Sequence, residues 1–375
     1  MKVALELQPC CGNRSGIGFY TYELAKRLQD SDDLNFTGNV FNFLSRNDNT
    51  SSLADIHMPV RVQKNMPYGV YRRIWHALPL RYSMMFPKAD LSVFFNYIVP
   101  PRITGRVIDT ICDMTYLRYP DTMDKKNLKR IKKDIQYSVE RSSKIITISE
   151  FSKEEIHHAL GVPAEKISVV YSAASLSSKQ LADPQKTLDK YSINGPYLLY
   201  VGNMEPRKNL ARLLRAFRLL KKETKIPHRL VLAGGSGWRS EELHRELNAS
   251  ESTGDVVMTG YVTSEEKNTL YSCASAFVFP SLYEGFGMPP LEAMHFGCPV
   301  VCANAASLPE VVGDAAELVD PMEVDSIAEG MLRVLTDESH RADLVQKGYI
   351  QAKKFNWEDS ANKLMQICRE VLEES

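Results

Sequence analysis

The densest chemistry in this 375-residue chain lies in YEGFGMPPLE, residues 283–292, which places two glutamates, two glycines and two prolines in one short run. Proline has no amide hydrogen to donate, so Pro289 and Pro290 suit the first turn of a helix, where donors are spare. The helix is expected to run through LEAMHFG and to stop near Gly297. Gly285 and Gly287 leave the preceding loop bare, so its amides and the helix N-terminus can approach an anion. Glu284 would stand at the loop's mouth and Glu292 within the helix. A ligand with a phosphate and hydroxyls on both sides fits that pattern. A helix that merely starts with proline and carries wet glutamates explains the prolines but leaves the paired glycines unexplained.

Three other segments carry related chemistry. In YVGNMEPRKNL, Arg207 and Lys208 follow a glycine-ended strand and precede a helix expected to begin near Asn209. A guanidinium fork and a point charge side by side would hold a diphosphate. Cations at a helix N-terminus oppose its dipole, so a purely structural role explains them poorly. In VLAGGSG, Gly234, Gly235 and Gly237 close a strand at the edge where open α/β sheets bind ligands, although alone this is a turn. In QPCCGNRSGIG, Gly12, Gly16 and Gly18 precede a helix. That loop is not a GxGxxG fingerprint. No acidic residue ends the next strand, NVFNFL, to hold a ribose, which counts against a nicotinamide enzyme.

These segments need strands and helices to position them. KVALEL, NVFNFL, DLSVFF, GRVIDTICD, KIITIS and ISVVYS read as strands of a first half, with helical stretches such as NLKRIKKDIQYSVERS between them. A polar, weakly patterned linker follows at SSKQLADPQKTLDKYSINGP. YLLYVG, RLVLAG, DVVMTG, AFVFP and PVVCAN then repeat the strand grammar. Apolar strands alternating with helices imply parallel sheets covered on both faces. The expected architecture is α/β, with two doubly wound, Rossmann-like domains facing each other across a cleft. The expected boundaries are 1–190 for the first domain, 191–355 for the second, and 356–375 for a helix crossing back to the first domain.

Composition narrows the class. Lysine plus arginine equals aspartate plus glutamate, 46 each, but residues 1–190 hold 27 basic against 20 acidic groups and residues 191–375 hold 19 against 26. The stretch 71–88 interleaves Arg72, Arg73, Arg81 and Lys88 with Tyr71, Trp75, Tyr82 and Phe86. Lys125, Lys126, Lys129, Arg130, Lys132 and Lys133 follow on one helix. Basic residues with interfacial aromatics point to an anionic membrane surface as a partner, although aromatics at helical spacing are more often core. The seven cysteines form no paired CxxC module and read as free thiols of a reducing compartment, without a zinc site. There is no run of 18 apolar residues and no signal-peptide layout, so the expected location is cytoplasmic, peripheral on the inner face of the cytoplasmic membrane.

Taken together, the segments resemble the retaining glycosyltransferases of family 4, which have the GT-B fold. SGIGFYTYELAKRL, TICDMTYLRYP, KIITISEFSKEEI, VGNMEPRKNL, the long run from DVVMTGYVTSEEKNTLYSCASAFVFPSLYEGFGMPPLEAM, and GCPVVCANAASLPEVVGDAAELVDP match the family in order and spacing. The resemblance implies that Glu284 touches hydroxyls of the donor sugar, while the amides of Phe286, Gly287 and Met288, beside Gly285, approach its hydroxyls and phosphate. Glu292 would hold the ribose. Arg207 and Lys208 would neutralise the departing diphosphate. Gly16, Ile17 and Gly18 would roof it, Gly202 and Gly234 would line the strand ends, and Val262 would pack the base. Asp113 would lie near the reacting carbon, with Tyr116 and Arg118 on the acceptor side. Cys112 stands where the family usually has histidine, and a thiol is a poor hydrogen-bonding substitute there.

The motif forms most resemble the bacterial mannosyltransferase-like branch. It implies a GDP-mannose donor, no cofactor, no divalent metal, and a glycan or polyprenyl-diphosphate-linked acceptor of O-antigen, capsule or exopolysaccharide type. UDP-sugar or dTDP-rhamnose donors are the alternatives within the family. Outside it stand a nucleotide-sugar 2-epimerase and a nucleic-acid-binding protein. The second would bind any duplex and leaves Glu284 unexplained, so nucleic acid is not an expected partner.

Overall fold

The computed structural model describes residues 1–12, 16–31, 33–45, 51–174, 176, 180–235, 241–251 and 254–374. They form two compact units, Met1–Ser172 with Asn356–Ser375, and Ala173–Phe355. Gly237, residues 13–15 of the first glycine loop and 177–179 of the expected linker lie outside the described residues.

The first unit contains β1 (Lys2–Glu6), α1 (Gly16–Leu28), β2 (Asn35–Phe41), β3 (Val60–Gln63), α2 (Tyr68–Ile74), β4 (Leu91–Phe94), β5 (Arg106–Thr110), α3 (Thr115–Arg118), α4 (Lys125–Arg141), β6 (Lys144–Thr147), α5 (Glu150–Leu160) and β7 (Ile167–Val169). Its strands are all parallel, in the order β3-β2-β1-β4-β5-β6-β7. The order therefore reverses between β1 and β4. Strands such as β4 are buried along their whole length, which is why they read as unbroken apolar runs.

The second unit contains α6 (Pro184–Lys190), β8 (Tyr197–Val201), α7 (Leu210–Thr224), β9 (Arg229–Ala233), α8 (Glu241–Glu251), β10 (Val256–Gly260), α9 (Ser264–Cys273), β11 (Ala276–Phe279), α10 (Met288–His295), β12 (Val300–Ala303), α11 (Leu308–Val312), β13 (Glu317–Val319), α12 (Val324–Thr336) and α13 (Glu338–Lys354). Its parallel sheet runs β10-β9-β8-β11-β12-β13, with the reversal between β8 and β11. The last helix, α14 (Trp357–Glu373), belongs to the first unit. Asn356 caps it by accepting the Asp359 amide. The Ser360 hydroxyl donates to the Tyr171 carbonyl at 2.7 Å, Trp357 meets Tyr20 edge to face, and Arg369 pairs with Asp33 at 2.7 Å.

Several boundaries differ from the sequence reading. The first unit ends at Ser172 rather than 190, because α6 packs on α9 of the second unit. Lys190 and the Tyr191 hydroxyl both reach Glu266, at 2.5 and 2.9 Å, and the Thr269 hydroxyl donates to the Ala182 carbonyl at 3.0 Å. Two edge strands were not foreseen. β3 is half-exposed and β13 has three residues, so neither leaves an apolar run. α1 begins at Gly16, so Gly16 and Gly18 lie in its first turn instead of preceding it.

The aromatics of 71–88 are core, not a membrane face. Tyr71, Trp75, Tyr82 and Phe86 are buried, with Tyr71 stacked on Phe41 at 5.3 Å and Phe86 edge-on to Phe41 at 5.0 Å. Their helical spacing served to cover the sheet with rings. On α4, Lys125, Lys126, Lys129, Lys132 and Lys133 are exposed, while Arg130 and, on α2, Arg72 turn partly inward. Among the described residues no helix is long and apolar enough to cross a membrane.

Candidate active site

The second-unit segments meet at the carboxyl ends of β8, β9 and β11. β8 and β11 are neighbours where the strand order reverses, the place where open α/β sheets leave a ligand crevice. Gly202 and Gly234 follow β8 and β9, and the Gly202 amide donates to the Ala233 carbonyl at 2.9 Å. Gly234 has φ +143, and a Cβ on it would lie 2.1 Å from the Gly202 carbonyl oxygen. Only glycine lets the two strand ends approach this closely.

The loop after β8 ends in a short 3-10 turn, Pro206–Lys208, and α7 starts at Leu210 rather than Asn209. Asn209 takes the left-handed conformation, φ 62, which asparagine tolerates. Its buried amide donates to the carbonyls of Pro280 and Pro321, at 3.0 and 2.6 Å. The preceding pair reaches the loop after β11, where both cations are taken by Glu284. Lys208 meets Glu284 Oε1 at 2.5 Å and Arg207 meets Oε2 at 2.8 Å. Arg207 also donates to the Tyr283 carbonyl and lies 3.5 Å from Glu205. Burial would push the Glu284 carboxyl up, but Arg207 and Lys208 outweigh it and hold it at about 2. Burial also lowers the Lys208 ammonium in spite of Glu284.

Gly287 carries the turn into α10. It has φ +114, and a Cβ there would come within 2.6 Å of Leu308, so both conformation and space demand glycine. Met288, Pro289 and Pro290 form the first turn of α10, and Gly297 follows its end with φ +70. The Ser307 hydroxyl bonds the carbonyls of Glu284 and Phe286, both at 2.9 Å, which fixes the loop around Gly285. Glu292, on α10, is buried and already partnered: Lys267 donates to its Oε2 at 2.8 Å and the Tyr271 hydroxyl at 3.2 Å. Val262, just beyond β10, is buried, whereas Tyr261 beside it is 87% exposed.

In the first unit Asp113 lies past the end of β5. Its Oδ1 accepts from the Tyr97 hydroxyl and from the Thr115 amide, both at 2.9 Å. Tyr97 has φ 61, a strained conformation for tyrosine, held by the hydrogen bond its amide donates to the Thr110 carbonyl at 2.9 Å. Cys112 is buried, and burial pushes its thiol far up, so it is a neutral thiol. Tyr116 is packed in the core, its hydroxyl without a partner among the described residues, and Arg118 is exposed and paired with Glu155 at 2.6 Å. In α1, Gly16 is exposed, Ile17 half-buried and Gly18 buried, with the Thr21 hydroxyl bonding the Ile17 carbonyl at 2.8 Å.

The profile described as "Glycosyl transferases group 1" matches residues 185–351. O-antigen chain mannosyltransferase B of Escherichia coli is 33% identical over 371 residues, covering 96% of this chain and 97% of that protein. The chain belongs to the group 1 glycosyl transferases. It is also 32% identical over 247 residues to the serotype-specific mannosyltransferase WbdA of Escherichia coli, covering 63% of this chain and 30% of that protein. Sucrose-phosphate synthase from Thermosynechococcus elongatus shares the GT-B fold over the full length of both chains, with TM-score 0.72 at 17% identity.

In this glycosyltransferase Arg207, Lys208 and Glu284 form one largely buried charge group. A bound anion could draw the cations, leaving Glu284 able to accept from hydroxyls. Asn209, Lys267, Tyr271, Ser307 and Tyr97 escaped the sequence reading. Each is an ordinary polar residue in its own segment, and its partner lies far along the chain. Asn209 alone left a trace, standing between a basic pair and an apolar helix.

Proposed function

We propose that the chain transfers mannose from GDP-mannose, with retention of anomeric configuration and without a divalent metal, to a growing lipid-linked cell-surface glycan. The observation that carries this reading is the convergence of Arg207 and Lys208 on Glu284 at the β8/β11 reversal, in a chain 96% of which aligns with a relative named as an O-antigen chain mannosyltransferase. Breaking a sugar–phosphate bond builds negative charge on the leaving diphosphate. Arg207 and Lys208 are placed to leave Glu284 for that charge, which replaces a metal with two fixed cations. Glu284, once released, accepts from the sugar hydroxyls. Glu292, oriented by Lys267 and Tyr271, accepts from the ribose, and Asp113, oriented by Tyr97, serves the acceptor.

A donor panel of GDP-mannose, UDP-glucose and dTDP-rhamnose, in excess EDTA, tests the reading, with product anomer assigned by NMR. Transfer from GDP-mannose to an α-linked product supports it. Preference for another donor, an inverted product, or activity that needs added magnesium or manganese refutes the corresponding part.

A further inference from the structure

A second group of buried charges lies in the first unit, at the carboxyl end of β1 beside the β1/β4 reversal. Glu6 ends β1 and is 7% exposed, with its buried Oε1 lacking a hydrogen-bond partner among the described residues. Arg72 on α2 and Arg130 on α4 each bury an Nε–H that has no partner among the described residues. Glu6 and the two arginines all lie within electrostatic reach of one another, yet none forms an ion pair among the described residues. Asp134, one helical turn beyond Arg130, is taken by His76 at 2.7 Å. Arg72 is held by the Tyr68 ring, 4.9 Å from its guanidinium. Burial raises the Glu6 carboxyl to about 8, so at neutral pH it is protonated and can donate.

Two like charges held together, each with an unused buried donor, are costly unless something joins them. An unsatisfied buried donor keeps its full desolvation cost with no bond to offset it. A neutral sugar would leave the repulsion between the arginines in place, whereas a multi-oxygen anion removes it and accepts from both forks. We propose that Glu6, Arg72 and Arg130 form an oxyanion site that grips a phosphate of the acceptor, the diphosphate of its lipid carrier. This rests on the transfer reading above for the identity of the acceptor, but the anion site itself does not.

Two measurements test it. Inorganic pyrophosphate is titrated calorimetrically into the full chain carrying Lys208→Ala, which weakens the second-unit cation pair. Adding Arg72→Gln and Arg130→Gln should weaken the remaining binding at least tenfold, and affinity within twofold of the parent overturns the site. In steady state, Arg72→Gln and Arg130→Gln in the otherwise unchanged chain should raise KM for a polyprenyl-diphosphate-linked glycan tenfold or more, leaving the donor KM within twofold. The same glycan without the diphosphate should show no such loss, and equal losses for both glycans would make the arginines structural. If a double variant does not fold, Arg72→Lys with Arg130→Lys keeps the charge and removes the fork, and should give an intermediate loss. Should no glycan accept sugar from the unaltered chain, the transfer reading fails while the pyrophosphate titration still decides the anion site.

Discussion

Glu284→Gln is the most informative single change, because the structure assigns its cost. The wild-type carboxyl sits at about 2 against an ordinary 4.5. At about 1.4 kcal/mol for each pH unit, that is roughly 3 kcal/mol of stabilisation. An independent argument agrees: removing one partner of a buried pair strands the other charges and costs about 3–5 kcal/mol. Glutamine preserves the shape and leaves Arg207 and Lys208 without their shared anion. For a unit the size of Ala173–Phe355, roughly 2–4 °C per kcal/mol predicts a melting transition lowered by about 6–12 °C at pH 7. The sign with pH follows from the depressed value. The contribution is complete above the ordinary 4.5 and is lost as pH falls toward 2. The gap between wild type and variant should therefore be constant from pH 8 to pH 5 and shrink below pH 4.5. Calorimetry across that range, with amide exchange of segments 197–212 and 276–296 as the local probe, measures it. A variant that melts within 1–2 °C of wild type at pH 7, or a gap that does not change below pH 4.5, would refute the reasoning.

Gly234→Ala should lower stability by more than about 2 kcal/mol, because its Cβ would overlap the Gly202 carbonyl. Gly195→Ala, at φ +84 in open space, should lose no more than about 1–2 kcal/mol, and the two melting temperatures settle the comparison. Glu6→Gln should stabilise the chain at pH 9 relative to wild type and have little effect at pH 5. Its carboxyl is raised to about 8, so wild type loses stability as pH climbs from 4.5 through 8; denaturation curves at both pH values test this. The exposed lysines of α4 should give salt-sensitive binding to phosphatidylglycerol vesicles that Lys129→Ser, Lys132→Ser and Lys133→Ser abolish, and wild type that stays unbound in low-salt flotation would refute it.

The sequence by itself determined the alternation of strands and helices, the two-sheet class and the chemical identity of the residues that meet at the β8/β11 reversal. Those features are local: apolar runs of strand length, glycines where the backbone turns, and prolines at a helix start each act within a few positions. Glu284 and the Arg207–Lys208 pair were legible for the same reason, as unusual residue types beside glycines. Their meeting was not, because it links positions 76 or 77 residues apart through the pairing of β8 with β11 and the clamp on Asn209. Burial was decided in the same way. Tyr71, Trp75 and Arg72 share one short stretch, yet the rings cover the sheet while the arginine turns toward Glu6 and Arg130. Whether a charge faces water or another charge depends on which elements pack beside it. That is a property of three-dimensional neighbours, and no spacing along the chain records it.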